Sequence, residues 1–220
     1  MPPYARWANS RVSPSLSKMD ALLIFGMQYD FLPPGNAAIP GAEDCAIAIQ
    51  SILHQWPIRI VINDHHPPDH LSFAACHPWR KPYQHIQTLE GPLMLWPMHA
   101  VQGTLGSLNP SWLIEGPHHL FLKGEEKLKD NPDALLSRDK DTGKILRILL
   151  QEKQVNHLFL SGLPLYPDLR ETALAGLKAG FRVSLIRECI LPLPDTETEV
   201  EFFLLEKAGA QIVELSQVKS

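Results

Sequence analysis

Short, uninterrupted apolar runs punctuate this chain, and segments with apolar positions at helical spacing lie between them. The run ALLIFG (21–26) is too short for a helix and shows no alternation. It predicts a strand buried on both faces, as in a parallel sheet. IRIVIN (58–63), HHLFLKG (118–124), HLFLSGL (157–163), FRVSLI (181–186) and AQIVEL (210–215) predict further strands. Between the first two, AEDCAIAIQSILHQ (42–55) carries helical spacing, with acids in the first turn where the helix dipole favours them. Helices are also predicted at 143–153, at 168–180 (which closes on a glycine) and at 198–208.

Strands alternating with helices predict a three-layer α/β/α domain. Its core is a parallel sheet of about six strands, joined by right-handed crossovers. In such sheets ligands bind beyond the carboxyl ends of the strands. The residues there are 26–31, 64–70, Lys123 and 162–168. Residues 64–118 are rich in His, Pro and Trp and have little periodicity; loops of that length inside a domain are usually functional. Residues 125–142 are polar.

Composition narrows the function. The chain has 220 residues, 45% hydrophobic and 20% charged, enough to bury one core without disulfides. A net charge of −4 and a pI near 6.2 offer no basic surplus for a phosphate backbone, so no nucleic-acid partner is expected. No apolar run reaches the ~18–20 residues of a membrane span, so no membrane partner is expected. Cys45, Cys76 and Cys189 are odd in number and form no CxxC, which points to a reducing, cytoplasmic setting. Residues 1–19 stand apart, with Arg6, Arg11 and Lys18 but no acid and no apolar signal core. They are expected to be an N-terminal arm, disordered or packed, before a single domain over 20–220. A mitochondrial presequence and a functional start at Met19 are the alternatives.

The chemistry concentrates after the second strand. Asp64, His66 and His70 stand in NDHHPPDH, and His99 follows in WPMH. Asp-x-His puts two side chains on one side of an extended segment. Imidazoles with one carboxylate suit Zn²⁺, Fe²⁺ or Mn²⁺. Against this, the chain has 10 His, and loop histidines are often merely solvated. His65 should point the other way.

The strings FGMQYDF, DHHPPDHLSF, WPMHAVQGTLG and FLKG occur in order after successive strands. They resemble the nicotinamidase/pyrazinamidase branch of the isochorismatase-like cysteine hydrolases, over residues 20–215. The resemblance implies a doubly wound sheet and allows a homo-oligomer. It implies a divalent metal, zinc first, on Asp64, His66 and His99, with His70 a fourth ligand or close neighbour. It also implies a ligand of pyridine-carboxamide type flanked by Phe31 and Trp96, two residues that the sequence alone would place in the core.

The resemblance breaks at the catalytic residues. The family's amidases use a Cys nucleophile, an Asp that handles its proton and a Lys that stabilises charge. Lys123 matches the Lys. Gly26 stands where the Asp should be, and Asp30 matches the motif's second, structural acid. Asp168 stands where the Cys should open a helix. The family bond before an oxyanion-hole alanine is cis; that alanine is Pro164 here. Proline cheapens a cis bond by roughly 2–3 kcal/mol but has no N–H to donate, so a cis Leu163–Pro164 bond is predicted. The family's D-x-Y-S-A-F becomes DNPDAL (130–135), without the aromatic residue.

Lys123 would lose its usual partner, and Asp168 would restore a carboxylate beside it. Asp168 is therefore expected to pair with Lys123 or to N-cap the following helix. The sharper alternative is a catalytic base toward an attacking water. The favoured reading is a nicotinamidase-like, metal-binding pseudoenzyme that binds a small ligand or a partner. The alternative is an active metal-dependent amidohydrolase acting on nicotinamide or a related small amide through Asp168 and Lys123. A third reading is a structural subunit with a vestigial metal site.

Overall fold

A computed structural model describes residues 16–89, 91–116, 118–194 and 196–218. Most of the arm expected over 1–19, namely residues 1–15, lies outside the described residues.

The first strand, β1 (Asp20–Phe25), is wholly buried. Ala21, Leu23 and Phe25 face one apolar cluster, whereas Leu22 and Ile24 face a second on the other side. Alternate residues serving two cores is the reason this strand is apolar without a break. Helix α1 (Ala42–Ile52) covers the second face through Cys45, Ile49 and Ile52. It stops at Ile52, and a tight turn over Leu53–Gln55 completes the expected segment. The strand β2 (Ile58–Asp64) pairs parallel to β1.

The long segment that follows is not featureless. It holds a hairpin of β3 (His85–Thr88) and β4 (Gly91–Met94), and the short helix α2 (Ser111–Ile114). Isolated bridges join His66 to Val101 and Phe73 to Trp96. They fasten the returning limb of the loop to its outgoing limb. Strand β5 (His119–Lys123) pairs parallel to β2, with Asp64 in register with Lys123. The two-residue edge strand β6 (Arg138–Asp139) runs antiparallel to β5.

The remaining elements are α3 (Leu146–Glu152), β7 (His157–Gly162), α4 (Arg170–Lys178), β8 (Arg182–Ile190), α5 (Thr198–Ala208), β9 (Gln211–Val213) and α6 (Leu215–Val218). Residues from α3, α4 and α5 pack on the first face of the sheet. The sheet order is β6-β5-β2-β1-β7-β8-β9. The chain winds outward from β1 through β2 to β5, then returns to the far side of β1 for β7, β8 and β9. This is the expected doubly wound, three-layer architecture, with seven strands rather than about six because of the β6 edge. The switch point lies between β1 and β7, where a ligand crevice belongs.

The helix expected over 168–180 begins only at Arg170. Residues Leu165–Leu169 form an irregular turn with Tyr166 in an extended conformation. The Leu163–Pro164 and Tyr166–Pro167 bonds are both cis. No described helix is long and apolar enough to cross a membrane.

Candidate functional site

Asp64 ends β2, and its position is fixed by one buried side chain. The amide nitrogen of Gln28 donates to the Asp64 carbonyl at 2.8 Å and to the Ser107 carbonyl at 2.9 Å, while the Asp64 N–H donates back to Gln28 Oε1 at 2.9 Å. The second acid of the first motif, Asp30, accepts from the Ala100 N–H at 2.8 Å and so ties down the loop that carries His99.

Asp64, His66 and His99 converge, each offering a ligand atom within 4.8 Å of the others. His66 Nε2 lies 3.9 Å from Asp64 Oδ1, and His99 Nε2 lies 3.8 Å from Asp64 Oδ2. The opposite ring nitrogens are pinned. His66 Nδ1–H donates to the Gly124 carbonyl at 2.8 Å and His99 Nδ1–H to the Pro97 carbonyl at 2.7 Å. Each ring therefore carries its proton on Nδ1 and leaves Nε2 open toward the cluster. Burial pushes His66 down to about 3, against the pull of Asp64, and lowers His99 likewise. Both imidazoles are neutral near pH 7. Burial alone would raise Asp64, but Lys123 and the two imidazoles hold it well below the usual carboxylate range. Two neutral imidazoles with backbone-fixed tautomers and one ionised carboxylate fit a divalent cation.

His70 does not share that geometry. Its ring stacks on His66 at 4.2 Å between centroids. Its Nδ1 accepts from the Ser72 hydroxyl at 2.8 Å, and its Nε2–H donates to the Lys129 carbonyl at 3.0 Å. Both nitrogens are thus engaged by the chain itself, and His70 stands beside the Asp64, His66 and His99 group. Gly124 makes room for the site: its φ is +70°, and a Cβ there would stand 2.2 Å from His66 Cε1.

Lys123 stands between two buried carboxylates. Its Nζ donates to Asp168 Oδ1 at 2.7 Å and also forms an ion pair with Asp64 Oδ1. Burial alone would lower the ammonium, but Asp168 and Asp64 together raise it above its usual value. Burial lifts the Asp168 carboxyl to about 7; Lys123 opposes the shift and Asp64 adds to it. One cation faces two carboxylates, so Asp168 holds a proton more readily than an ordinary carboxyl does. Of its two expected structural roles, the geometry shows the ion pair. Among the described residues, no side chain caps α4.

These groups line a cavity of about 20 Å³, together with Phe31, Ser72, Trp96, Asp130 and Pro167. That is room for about one water molecule. Phe31 and Trp96 both reach the cavity and both pack against His99, at 5.0 and 5.5 Å between ring centroids. None of the three cysteines lines it: Cys45 and Cys189 are buried elsewhere, and Cys76 is exposed. Gly26, which the sequence motif sets against the family's acid, has φ +62°, and a Cβ there would meet the Leu163 carbonyl at 2.2 Å. Sequence reasoning singled out neither Gln28 as the clamp on Asp64 nor Asp130 as a cavity wall. Asp130 was legible as the first acid of DNPDAL, but its approach to the site depends on how the polar segment 125–137 folds back.

No family model matches the chain. Curated relatives do. The chain is 30% identical over 167 residues to a nicotinamidase of Acinetobacter baylyi, covering 76% of this chain and 78% of that protein. It is 28% identical over 204 residues to the nicotinamidase of Escherichia coli, covering 89% and 95%. Among solved structures, a nicotinamidase/pyrazinamidase of Acinetobacter baumanii superposes with a TM-score of 0.83 at 25% identity, covering 92% and 99%. A PnC1 of L. infantum in complex with nicotinate gives 0.75 at 25% identity, covering 92% and 96%. A pyrazinamidase of Pyrococcus horikoshii in complex with zinc gives 0.69 at 25% identity, covering 89% and 99%.

Proposed function

The chain belongs to the nicotinamidase family of isochorismatase-like hydrolases, and from that membership we propose that it is a metal-binding member without cysteine-hydrolase activity. The observation that carries this reading is the Lys123–Asp168 ion pair, 2.7 Å long, at the position of the family's thiol. A carboxylate held by an ammonium is a poor nucleophile toward an amide. No cysteine lines the cavity to replace it, Gly26 offers no proton acceptor, and Pro164 has no N–H for an oxyanion.

Asp64, His66 and His99 would hold the divalent cation. Zinc is favoured by the donor set and by the zinc complex of the Pyrococcus horikoshii pyrazinamidase; Fe²⁺ and Mn²⁺ share it. When bound, the ion supplies Lewis-acid polarisation of a ligand oxygen or nitrogen. A small pyridine-type ligand is favoured by the nicotinate complex of the L. infantum protein, with Phe31 and Trp96 as ring contacts. The reading places the protein in the cytoplasm. It is tested by metal content after loading and dialysis. Wild type is expected to retain about one ion per chain, and His66→Ala and His99→Ala much less. Equal retention by all three would contradict it.

A second reading is favoured by one observation: the Asp168 carboxyl is lifted to about 7, a value suited to proton transfer near neutral pH. In that reading Asp168 takes the proton of an attacking water and Lys123 stabilises the developing oxyanion. Its signature is turnover of a small amide that needs both the metal and Asp168.

A further inference from the structure

A second cavity, of about 490 Å³, adjoins the first. Trp96, Asp130 and Pro167 line both and form the partition between them. The larger chamber lies between β4 of the hairpin and the irregular turn that carries Asp168. Its walls include Leu71, Leu93, Met94 and Tyr166. Its size is that of a small-molecule site, and its lining mixes apolar and polar surface.

Its charge has one sign. Asp130 and Glu171 line it, and no lysine, arginine or histidine does. Among the described residues Asp130 has no ion-pair partner, and its charge is felt across the partition by Lys123, His99 and Asp168. Glu171 is held only loosely, by Arg170 at 3.8 Å. Trp96 is 6% exposed. Trp96 and Tyr166 offer electron-rich ring faces for a cation. Tyr166 already takes one from the chain itself, the Arg170 guanidinium at 5.4 Å.

We propose that this outer chamber binds an organic cation bearing a flat ring. The ring lies against Trp96 and the apolar wall of β4, and the positive charge faces Asp130 and Glu171. The inference rests on the preceding reading, in which the protein binds a small molecule beside the metal triad, and it adds the ligand's charge. Anionic ligands of the same shape are repelled by the two carboxylates.

The test is calorimetric titration of the metal-loaded full chain with three probes of one ring: 1-methylnicotinamide (a cation), nicotinamide (neutral) and nicotinate (an anion). The cation is expected to bind about tenfold more tightly than nicotinamide, and nicotinate most weakly. Asp130→Asn combined with Glu171→Gln is expected to erase the order. Glu171→Gln alone, at a half-buried position, is expected to narrow the order and guards against misfolding of the double variant. Equal affinities, tightest binding of nicotinate, no binding of any probe, or an order unchanged in the variants would overturn the proposal. Metal content and ammonia release, read on the same samples, report separately on the inner site.

Discussion

Lys123 Nζ lies 2.7 Å from Asp168 Oδ1, with both side chains buried, so the residue that the sequence motif sets against the family's nucleophile is half of an ion pair. Lys123 also faces Asp64. Removing the cation therefore strands two carboxylates, whereas removing Asp168 still leaves Lys123 a partner. In the metal-free protein Lys123→Met is expected to lower stability by about 3–5 kcal/mol, and Asp168→Asn by clearly less. Denaturant unfolding measures both, and equal losses would contradict this charge arrangement.

Gly124 gives His66 its place. A side chain there meets the imidazole at 2.2 Å on a backbone with φ +70°, and the Gly124 carbonyl fixes the His66 tautomer. Gly124→Ala is expected to weaken metal binding by about 10–100-fold, as read by competition with a chelating dye. Unchanged affinity would remove His66 from the ligand set.

Gln28 holds Asp64 by donating to its carbonyl and accepting from its N–H. Gln28→Leu leaves those buried backbone groups without partners, at about 1–3 kcal/mol each. The unfolding midpoint is expected to fall and metal affinity to fall with it. A variant as stable as wild type would show that the clamp is dispensable.

His157 sets part of the pH dependence, far from the metal triad. Its Nε2 pairs with the Ser184 hydroxyl at 2.8 Å. Burial, then the Arg182 charge, depress it to about 4, against the pull of Asp20. The folded state thus resists a proton that the unfolded chain accepts near 6.5. The stability tied to this neutral ring is full above about pH 6.5 and is lost as pH falls toward 4. His157→Gln is expected to flatten that part of the stability–pH curve, and a curve of unchanged slope would assign the acid sensitivity elsewhere.

The sheet was legible because its strands are buried on both faces and read as unbroken apolar runs. The Asp64–His66–His99 group was legible because two of its ligands stand two residues apart on one extended segment. The β3–β4 hairpin was not, since its strands are short and half exposed and carry neither an apolar run nor a clean alternation. The edge strand β6 is two residues long and leaves no pattern. The late start of α4 was hidden because the Asp168 region folds as an irregular turn that helical spacing does not reveal. The role of His70 was undecided in sequence, because only the Ser72 hydroxyl and the Lys129 carbonyl, placed by the fold, show both its nitrogens engaged. The water-sized cavity was also out of reach, since it depends on how Pro167, Asp130 and Trp96 close over the site.

Gly26 leaves no room for the acid that the resemblance expects at its position. A Cβ at this position meets the Leu163 carbonyl at 2.2 Å. Gly26→Asp is expected to destabilise the protein by about 1–3 kcal/mol or more. Combined with Asp168→Cys, it is expected not to raise ammonia release from nicotinamide. Appearance of family-like turnover in the double variant would show that the backbone relaxes to accept the acid.

The central claim is tested most directly by ammonia release from nicotinamide, using zinc-, iron(II)- or manganese-loaded protein at high concentration with Asp168→Ala in parallel. The account expects no release above that of the variant. Release by wild type that Asp168→Ala abolishes would contradict it and would make the carboxylate at the thiol's position a working catalytic group.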